Sequence, residues 1–393
     1  MKWEDAETDQ NRRMTVPENW LFPHYYDALT ALFRIENSLR TFVYVVLKNQ
    51  KQAHWQTLSI TSDDGSQTTI SAIAKKRISQ DETFGYLGYS ITSPLMHLTS
   101  GELIRIILAD AYWPFFKEYF PASKDLIKTK LEEIGNVRNS LAHFRPLRED
   151  DVQVVKQNAN QVLSKVELAL KGLIDCSAVV PTNCEESWYK NLKMLGGQYS
   201  SLGFHQSEDE KWVRIELQLT CPFLSRAYTL QTYKSFRTVT LNSAAILRAS
   251  PVLLENVIFV SDDVPYCLYK GEGSPELTKV VQFIFSRQTI RQAAAELKVE
   301  FESIFSRIGD EIELIRDDNL ARGEYVRIAR VSATKKDDSE YWDVDTDQLK
   351  SVSKNDDPPE YWAGKPSWGT DFITDTNSYP WMPVDISNLS IPF

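Results

Sequence analysis

A single apolar seam near the start of the chain limits the folds open to it. Tyr25, Leu29, Leu32, Glu36, Leu39, Val43 and Val46 recur at alternating steps of four and three, the spacing of one face of an α-helix. The helix opens at Pro23 or His24 and runs to about Leu47, roughly 36 Å at about 1.5 Å per residue. A rod of that length with an apolar stripe must be covered by other helices or by a sheet. Glu36 interrupts the stripe at its middle, and a buried carboxylate needs a partner. Two readings follow: Glu36 reaches Arg138 further along the chain, or it forms an i,i+4 pair with Arg40 on its own helix.

Further helices are expected along the next stretch. Residues 51 to 68 are polar and loop-like around Asp63-Asp64-Gly65. Ile70 to about Gln80 forms a short helix whose Lys75, Lys76 and Arg77 read as a solvated face. Ser100 is placed as the N-cap of a helix over Glu102 to Trp113. His97, among Leu95, Met96 and Leu98, reads as a packing residue. Leu131 to Arg145 is helical, with Ile134, Val137 and Leu141 on one stripe and Pro146 ending it. Glu149 to Leu173 completes a bundle of four or five helices, through Val152, Val155, Ala159, Val162, Val166 and Leu170.

The run LEEIGNVRNSLAHFRPLRED carries the residues suited to chemistry. On a helix Asn139 and His143 are nearly superimposed, with Arg138 beside them, flanking the buried stripe. Histidine titrates near neutrality and transfers protons at pH 7. Arginine stays charged and grips two phosphate oxygens at once. That combination suits RNA cleavage, which needs a base for the 2′-hydroxyl, an acid for the leaving oxygen and a cation on the phosphorane. One histidine does not readily serve as acid and base in the same step, so two facing copies of the helix are favoured.

Arg138-x4-His143, with Asn139 directly after the arginine, resembles the ribonuclease motif of the HEPN superfamily. IGNVRNSLAHFRPL is similar to the form in abortive-infection-like bacterial members, and YYDALTALFRIENSLRTFVYVVL to the first long helix of such domains. The resemblance covers about residues 20 to 172. It implies a compact α-helical domain that dimerises and cuts RNA without metal or other cofactor, leaving a 2′,3′-cyclic phosphate. It assigns catalysis to Arg138 and His143, with Asn139 in support. Arg145 stands where members inhibited by nucleotidylation carry Tyr, so that control is not expected here. The biological role it implies is a toxin or anti-phage effector acting on cellular RNA.

The net charge of −10 is awkward for an RNA-binding protein, because phosphate contacts supply most of the affinity. Residues 334 to 393 hold twelve acidic and five basic residues, a net of −7, which leaves −3 for the rest. RNA contact therefore falls to a local basic patch, with Arg145 and Arg148 as candidates beside Arg138. The acidic tail is also aromatic: Glu-Tyr-Trp occurs at 340–342 and 360–362, and Trp368 and Trp381 follow. It reads as an extended arm on its own domain or on a partner, its carboxylates mimicking RNA phosphates and masking the site until a trigger arrives.

The expected organisation is multidomain α+β. Residues 1–22 are a flexible lead-in, 23–175 the helical ribonuclease-like domain, 188–333 a β-rich sensor or partner domain, and 334–393 the arm. The composition changes over 176–187. Strand-like alternation then appears over Trp212–Leu219, Tyr228–Tyr233 and Phe236–Leu241, with short apolar runs at Val257–Val260 and Tyr266–Tyr269. His205 is placed in a polar loop with no second ligand nearby. Residues 286–309 resemble a helix-turn-helix, Ala293–Leu297 then Glu302–Ile308, with EIELIRD and EYVRIARV as a small wing. Lys298 takes the place of the usual turn glycine, and Glu300 and Glu302 stand where phosphates would lie, so packing or protein contact is favoured over DNA. The competing function is a non-catalytic nucleic-acid- or protein-binding regulator built on this segment and the helical scaffold.

Other chemistry is excluded. Cys176, Cys184, Cys221 and Cys267 form no C-x-x-C pair and read as reduced intracellular thiols, with no metal site. No phosphate-binding loop of the G-x-x-x-x-G-K-[ST] type occurs. Asp343-Val-Asp345-Thr-Asp347 begins like a calcium loop but has Lys354 where the closing Glu belongs. No apolar run suits a membrane helix, and the charged first residues have no secretory h-region; a cytoplasmic protein is expected.

Overall fold

The computed structural model describes residues 7–8, 10, 14–15, 24–61, 65–83, 94–229, 233–262, 265–268, 276–318, 320–335 and 342–345. The fold is mixed helix and sheet with a helical N-terminal region. In the lead-in, expected to be flexible, β1 (Glu7–Thr8) pairs antiparallel with β2 (Met14–Thr15).

Helix α1 (Tyr25–Lys51) is the expected rod, 27 residues long. Its first half buries one stripe: Ala28, Leu32, Ile35 and Leu39. From Thr41 to Lys48 every residue is buried, which marks a helix enclosed on all sides rather than lying on a surface. A 3-10 turn (Gln52–Thr57) follows and buries Trp55 edge-on to Tyr44 at 5.2 Å. A hairpin of β3 (Ser59–Thr61) and β4 (Gln67–Thr69) occupies the stretch read as loop. α2 (Ile70–Thr83) follows. α3 (Ser100–Leu108) is capped by Thr99 rather than Ser100, whose backbone lies inside the helix; the Thr99 side chain accepts from the Glu102 N–H, and Glu102 in return accepts from the Thr99 N–H at 2.7 Å. The chain breaks at Ala109, before the expected end, and restarts as α4 (Trp113–Phe116), with Pro114 in the first turn. α5 (Lys124–Ala142) and α6 (Glu149–Ile174) complete the bundle.

The second half begins with β5 (Ala178–Val179) and α7 (Ser187–Leu192), then β6 (Ser200–Gln206), β7 (Trp212–Pro222), β8 (Ser225–Thr229) and β9 (Tyr233–Leu241). Two short helices, α8 (Ser243–Ala249) and α9 (Pro251–Asn256), lead into β10 (Phe259–Asp262), β11 (Tyr266–Leu268) and β12 (Glu276–Ser286). The long α10 (Arg287–Asp317), β13 (Val326–Lys335) and β14 (Trp342–Asp345) close the order. One antiparallel sheet runs β10-β12-β7-β6-β5, with β11 also on β12; a second runs β14-β13-β9-β8. β7 and β12 pair along their full lengths, Trp212 opposite Ser286 and Pro222 opposite Glu276. All pairings in both sheets are antiparallel, and the expected runs Trp212–Leu219 and Phe236–Leu241 fall in β7 and β9, with Tyr266–Leu268 forming β11. His205 lies in strand β6, opposite Arg214, and not in a loop.

The helix-turn-helix reading fails. Residues 287–317 form one uninterrupted helix of 31 residues. Ile290, Ala293, Leu297, Phe301, Ile304, Ile308, Ile312 and Ile315 make one continuous buried stripe through the supposed turn. With no Gly or Pro between Arg287 and Ile308 to break it, the packed seam carries the helix past Lys298. The supposed wing fails too: EIELIRD is the end of α10, and EYVRIARV enters β13, which pairs with β9 and β14.

The two halves share a boundary layer. Successive residues of β12 serve different cores: Phe283 and Phe285 pack with α10, whereas Ile284 joins the core of the helical region with Trp212, Ile258 and Phe259. At the end of α1, Lys48 is 1% exposed and donates to the Leu254 carbonyl at 2.9 Å, and the Thr289 hydroxyl is 3.4 Å from Asn49 Oδ1. Of the arm, Thr334 and Lys335 end β13 and Trp342–Asp345 adds an edge strand to it; the remainder of the arm lies outside the described residues.

Candidate functional site

Helix α5 buries Ile127, Leu131, Ile134, Val137 and Leu141 against the bundle. Arg138, next to Val137, is therefore carried at the margin of the packed face, turned toward α1. Its Nε lies 3.5 Å from Glu36 Oε2, with the arginine side chain 37% exposed and the glutamate 15%. Glu36 also pairs with Arg40 one turn along α1. The two readings of Glu36 hold together: one carboxylate lies between two guanidinium groups. Arg40 is anchored further by Asn37 Oδ1 at 2.8 Å and by the Leu98 carbonyl, accepting from Nη2 at 3.1 Å. Burial lowers the Arg40 pKa, Glu36 opposes that, and Arg138 adds a smaller like-charge push; an arginine still keeps its charge. The triad of Arg40, Glu36 and Arg138 thus carries a net single positive charge.

His143 does not sit inside the helix, as the sequence suggested, but caps its C-terminus, at φ −98° and ψ 15°. Its N–H still donates to the Asn139 carbonyl at 3.2 Å, so it stays one turn above Asn139. Phe144 N–H then donates to Leu141 O and Arg145 N–H to Ser140 O, both at 3.0 Å. This is the Schellman pattern, with Phe144 left-handed at φ 53° where glycine is usual. Pro146 disfavours helical geometry at Arg145, so the chain leaves the helix earlier than Arg145, at Ala142. His143 and Asn139 are exposed.

Arg145 and Arg148 are exposed in the loop that follows. Arg148 precedes the first turn of α6, its N–H donating to Asp151 Oδ2 at 2.8 Å. Glu149, Asp150 and Asp151 fill that turn and complement the helix dipole, so the basic patch ends sharply at Arg148. Tyr25, at the start of α1, stacks on Phe144 with centroids 6.2 Å apart and planes within 6°. The sequence reading missed this aromatic pair, because the two residues are far apart in the chain. It also missed the anchoring of Arg40 by the Leu98 carbonyl, 58 residues further along the chain, for which the i,i+4 spacing gives no signal.

Other candidates are quieter. Arg77 is held by Glu102 at 2.7 and 2.8 Å, while Lys75 and Lys76 face solvent. His205 Nδ1 lies 3.7 Å from Glu216, which also pairs with Arg214 at 3.1 Å; burial pulls the imidazole pKa down. No cysteine is paired, and burial pushes the Cys176 thiol up to about 12 and that of Cys221 to about 11, so neither is a ready nucleophile. A cleft of about 850 Å³ opens between β3, α3 and the start of α5, lined by Arg105, Asp110, Tyr112, Lys124 and Lys128 among others; Arg138 and His143 are not part of it. Among the described residues no helix is long and apolar enough to cross a membrane. No family model, no curated protein and no solved structure matches this chain.

Proposed function

We propose that the chain is a metal-independent endoribonuclease of the HEPN type, cutting cellular RNA through a site shared by two copies, as a toxin or anti-phage effector. One observation carries the reading. The Arg138 guanidinium is held by Glu36 of the first long helix at 3.5 Å, while His143 stands exposed one turn beyond Asn139 at the end of α5, the helix that carries Arg138. A cation is fixed, a proton-transfer group is open to solvent, and both are solvent-accessible where a polymer can reach them.

In the proposed reaction the 2′-oxygen attacks the adjacent phosphorus and its proton passes to one His143. The bond from phosphorus to the 5′-oxygen breaks, and that oxygen takes a proton from the same histidine of the second copy. The products are a 2′,3′-cyclic phosphate and a 5′-hydroxyl. Arg138 stabilises the pentavalent phosphate, Asn139 orients, Glu36 positions Arg138, and Arg145 and Arg148 hold the strand. The β-rich half acts as sensor or partner domain, and a trigger or inhibitor protein binds there.

The test is cleavage of total RNA in EDTA by the wild type beside His143→Ala and Arg138→Ala. Each variant is expected to lose at least about a hundredfold in rate; equal cleavage by all three ends the proposal. Growth toxicity on over-expression, scored in parallel, reports a latent enzyme. Deleting 346–393, beyond β14, is expected to raise both activities; unchanged values dismiss the masking role of the arm. The competing reading, a non-catalytic regulator, loses the helix-turn-helix and keeps the helical scaffold alone as support.

A further inference from the structure

Among the residues whose side-chain burial is described, Phe144 is the sole exposed phenylalanine or tryptophan, at 72% exposure. Its backbone is left-handed at φ 53°, a conformation that disfavours a bulky residue and suits Gly or Asn. The helix cap does not need the ring, and the core does not contain it. Strain of this kind at an exposed position points to function. Tyr25 backs one face of the ring in a near-parallel stack and leaves the other open. The next residue toward the N-terminus is His143, about 3.8 Å away at Cα. From Gly135 to Arg148 the chain holds three arginines and no carboxylate.

An open aromatic face beside a phosphate-handling histidine, within a positive loop, matches the way proteins hold unpaired bases. We propose that Phe144, backed by Tyr25, is a stacking platform for a nucleobase next to the scissile phosphate, so that the substrate is single-stranded RNA. A base inside a duplex has both faces covered and cannot use it. This inference rests on the ribonuclease reading and adds a substrate class to it.

The test uses the full chain and a twelve-nucleotide 2′-O-methyl single strand carrying 2-aminopurine, which lacks the attacking hydroxyl and is not cleaved. The wild type is expected to bind it and to quench the 2-aminopurine. Phe144→Gly and Phe144→Asn, which suit the left-handed backbone, are expected to bind about 5- to 100-fold more weakly and to lose the quench. Phe144→Trp restores both. Thermal midpoints of the Gly and Asn variants should be no lower than wild type; a lower midpoint assigns the ring to stability and overturns the proposal. Gly and Asn variants that bind and quench like the wild type overturn it too. So does loss by those variants of a dimer that the wild type forms in light scattering, since the ring then meets a second copy of the chain. RNA cleavage that persists with Phe144 variants binding normally removes the platform alone. Binding and quench of the probe with neither cleavage of total RNA nor growth toxicity remove the ribonuclease reading and leave Phe144 as a base-stacking site.

Discussion

Glu36 decides the electrostatics of the site at the scale of single residues. It lies between Arg40 and Arg138, so removing its charge leaves two like charges facing each other at a half-dry position. Glu36→Gln is therefore expected to cost about 1–3 kcal/mol of stability, read from urea unfolding. Adding Arg138→Met should return part of that loss, because the repulsion goes with the arginine. Strict additivity of the two changes would show that the pair is not coupled. In RNA cleavage, Glu36→Gln should lower kcat more than it raises KM, as expected of a group that aims Arg138 without touching substrate. Glu36 and Arg138 were both legible as candidates from the chain alone, because a carboxylate in an apolar seam demands a partner. Phe144 was not: its left-handed backbone and its contact with Tyr25 arise from how the helix ends, which no periodicity reports.

At the scale of elements, α10 is the sharpest departure from the sequence reading. Ala293-Ala294-Ala295-Glu296-Leu297 followed by Lys298 has the outline of a helix before a turn, yet the apolar stripe continues through it. The competing principle is tertiary burial: the helix covers β7 and β12, and that seam rewards continuity more than the local outline rewards a turn. Lys298→Gly separates the two cases. In a continuous helix it should cost about 1 kcal/mol, whereas in a turn glycine would stabilise; chemical denaturation reads the sign. Glu186, the residue before α7, clamps α10 by accepting from Arg291 at 2.9 Å, from Arg287 and from Trp188 Nε1. Arg291 foremost, with Arg287 and Trp188, holds its carboxyl down at about 2, against an ordinary value of 4.5. A folded-state pKa below the unfolded one stabilises above the unfolded value and loses that stabilisation as pH falls. The wild type should therefore lose stability between about pH 4.5 and 2 more steeply than Glu186→Gln, in thermal melts across that range.

At the scale of the whole molecule, the halves are coupled through β12 and the far end of α1. Ile284, Ile258, Phe259 and Trp212 belong to the core of the helical region although they lie in the second half of the chain. Residues 1–186 expressed alone should consequently expose that apolar face, bind a hydrophobic dye and aggregate beyond a dimer, while the full chain does neither. A monodisperse fragment without dye binding would show that the helical region closes its core unaided. The same arrangement gives a route by which an event on the β-rich half reaches the site. α1 carries Lys48 and Asn49 at the boundary, and Glu36 and Tyr25 at the site.

The amino-acid sequence alone determined what local spacing can encode: the long first helix, the motif helix and its neighbour, the β-character of the second half, and the pairing options of Glu36. These follow from periodicities of 3.6 and 2 and from the cost of a buried charge, all short-range along the chain. The tertiary structure decided that both Glu36 options hold at once, that α10 runs unbroken, and that one strand feeds two cores. Each of those depends on which surfaces meet in space, and contacts between residues a hundred or more apart in the chain leave no periodic trace in it.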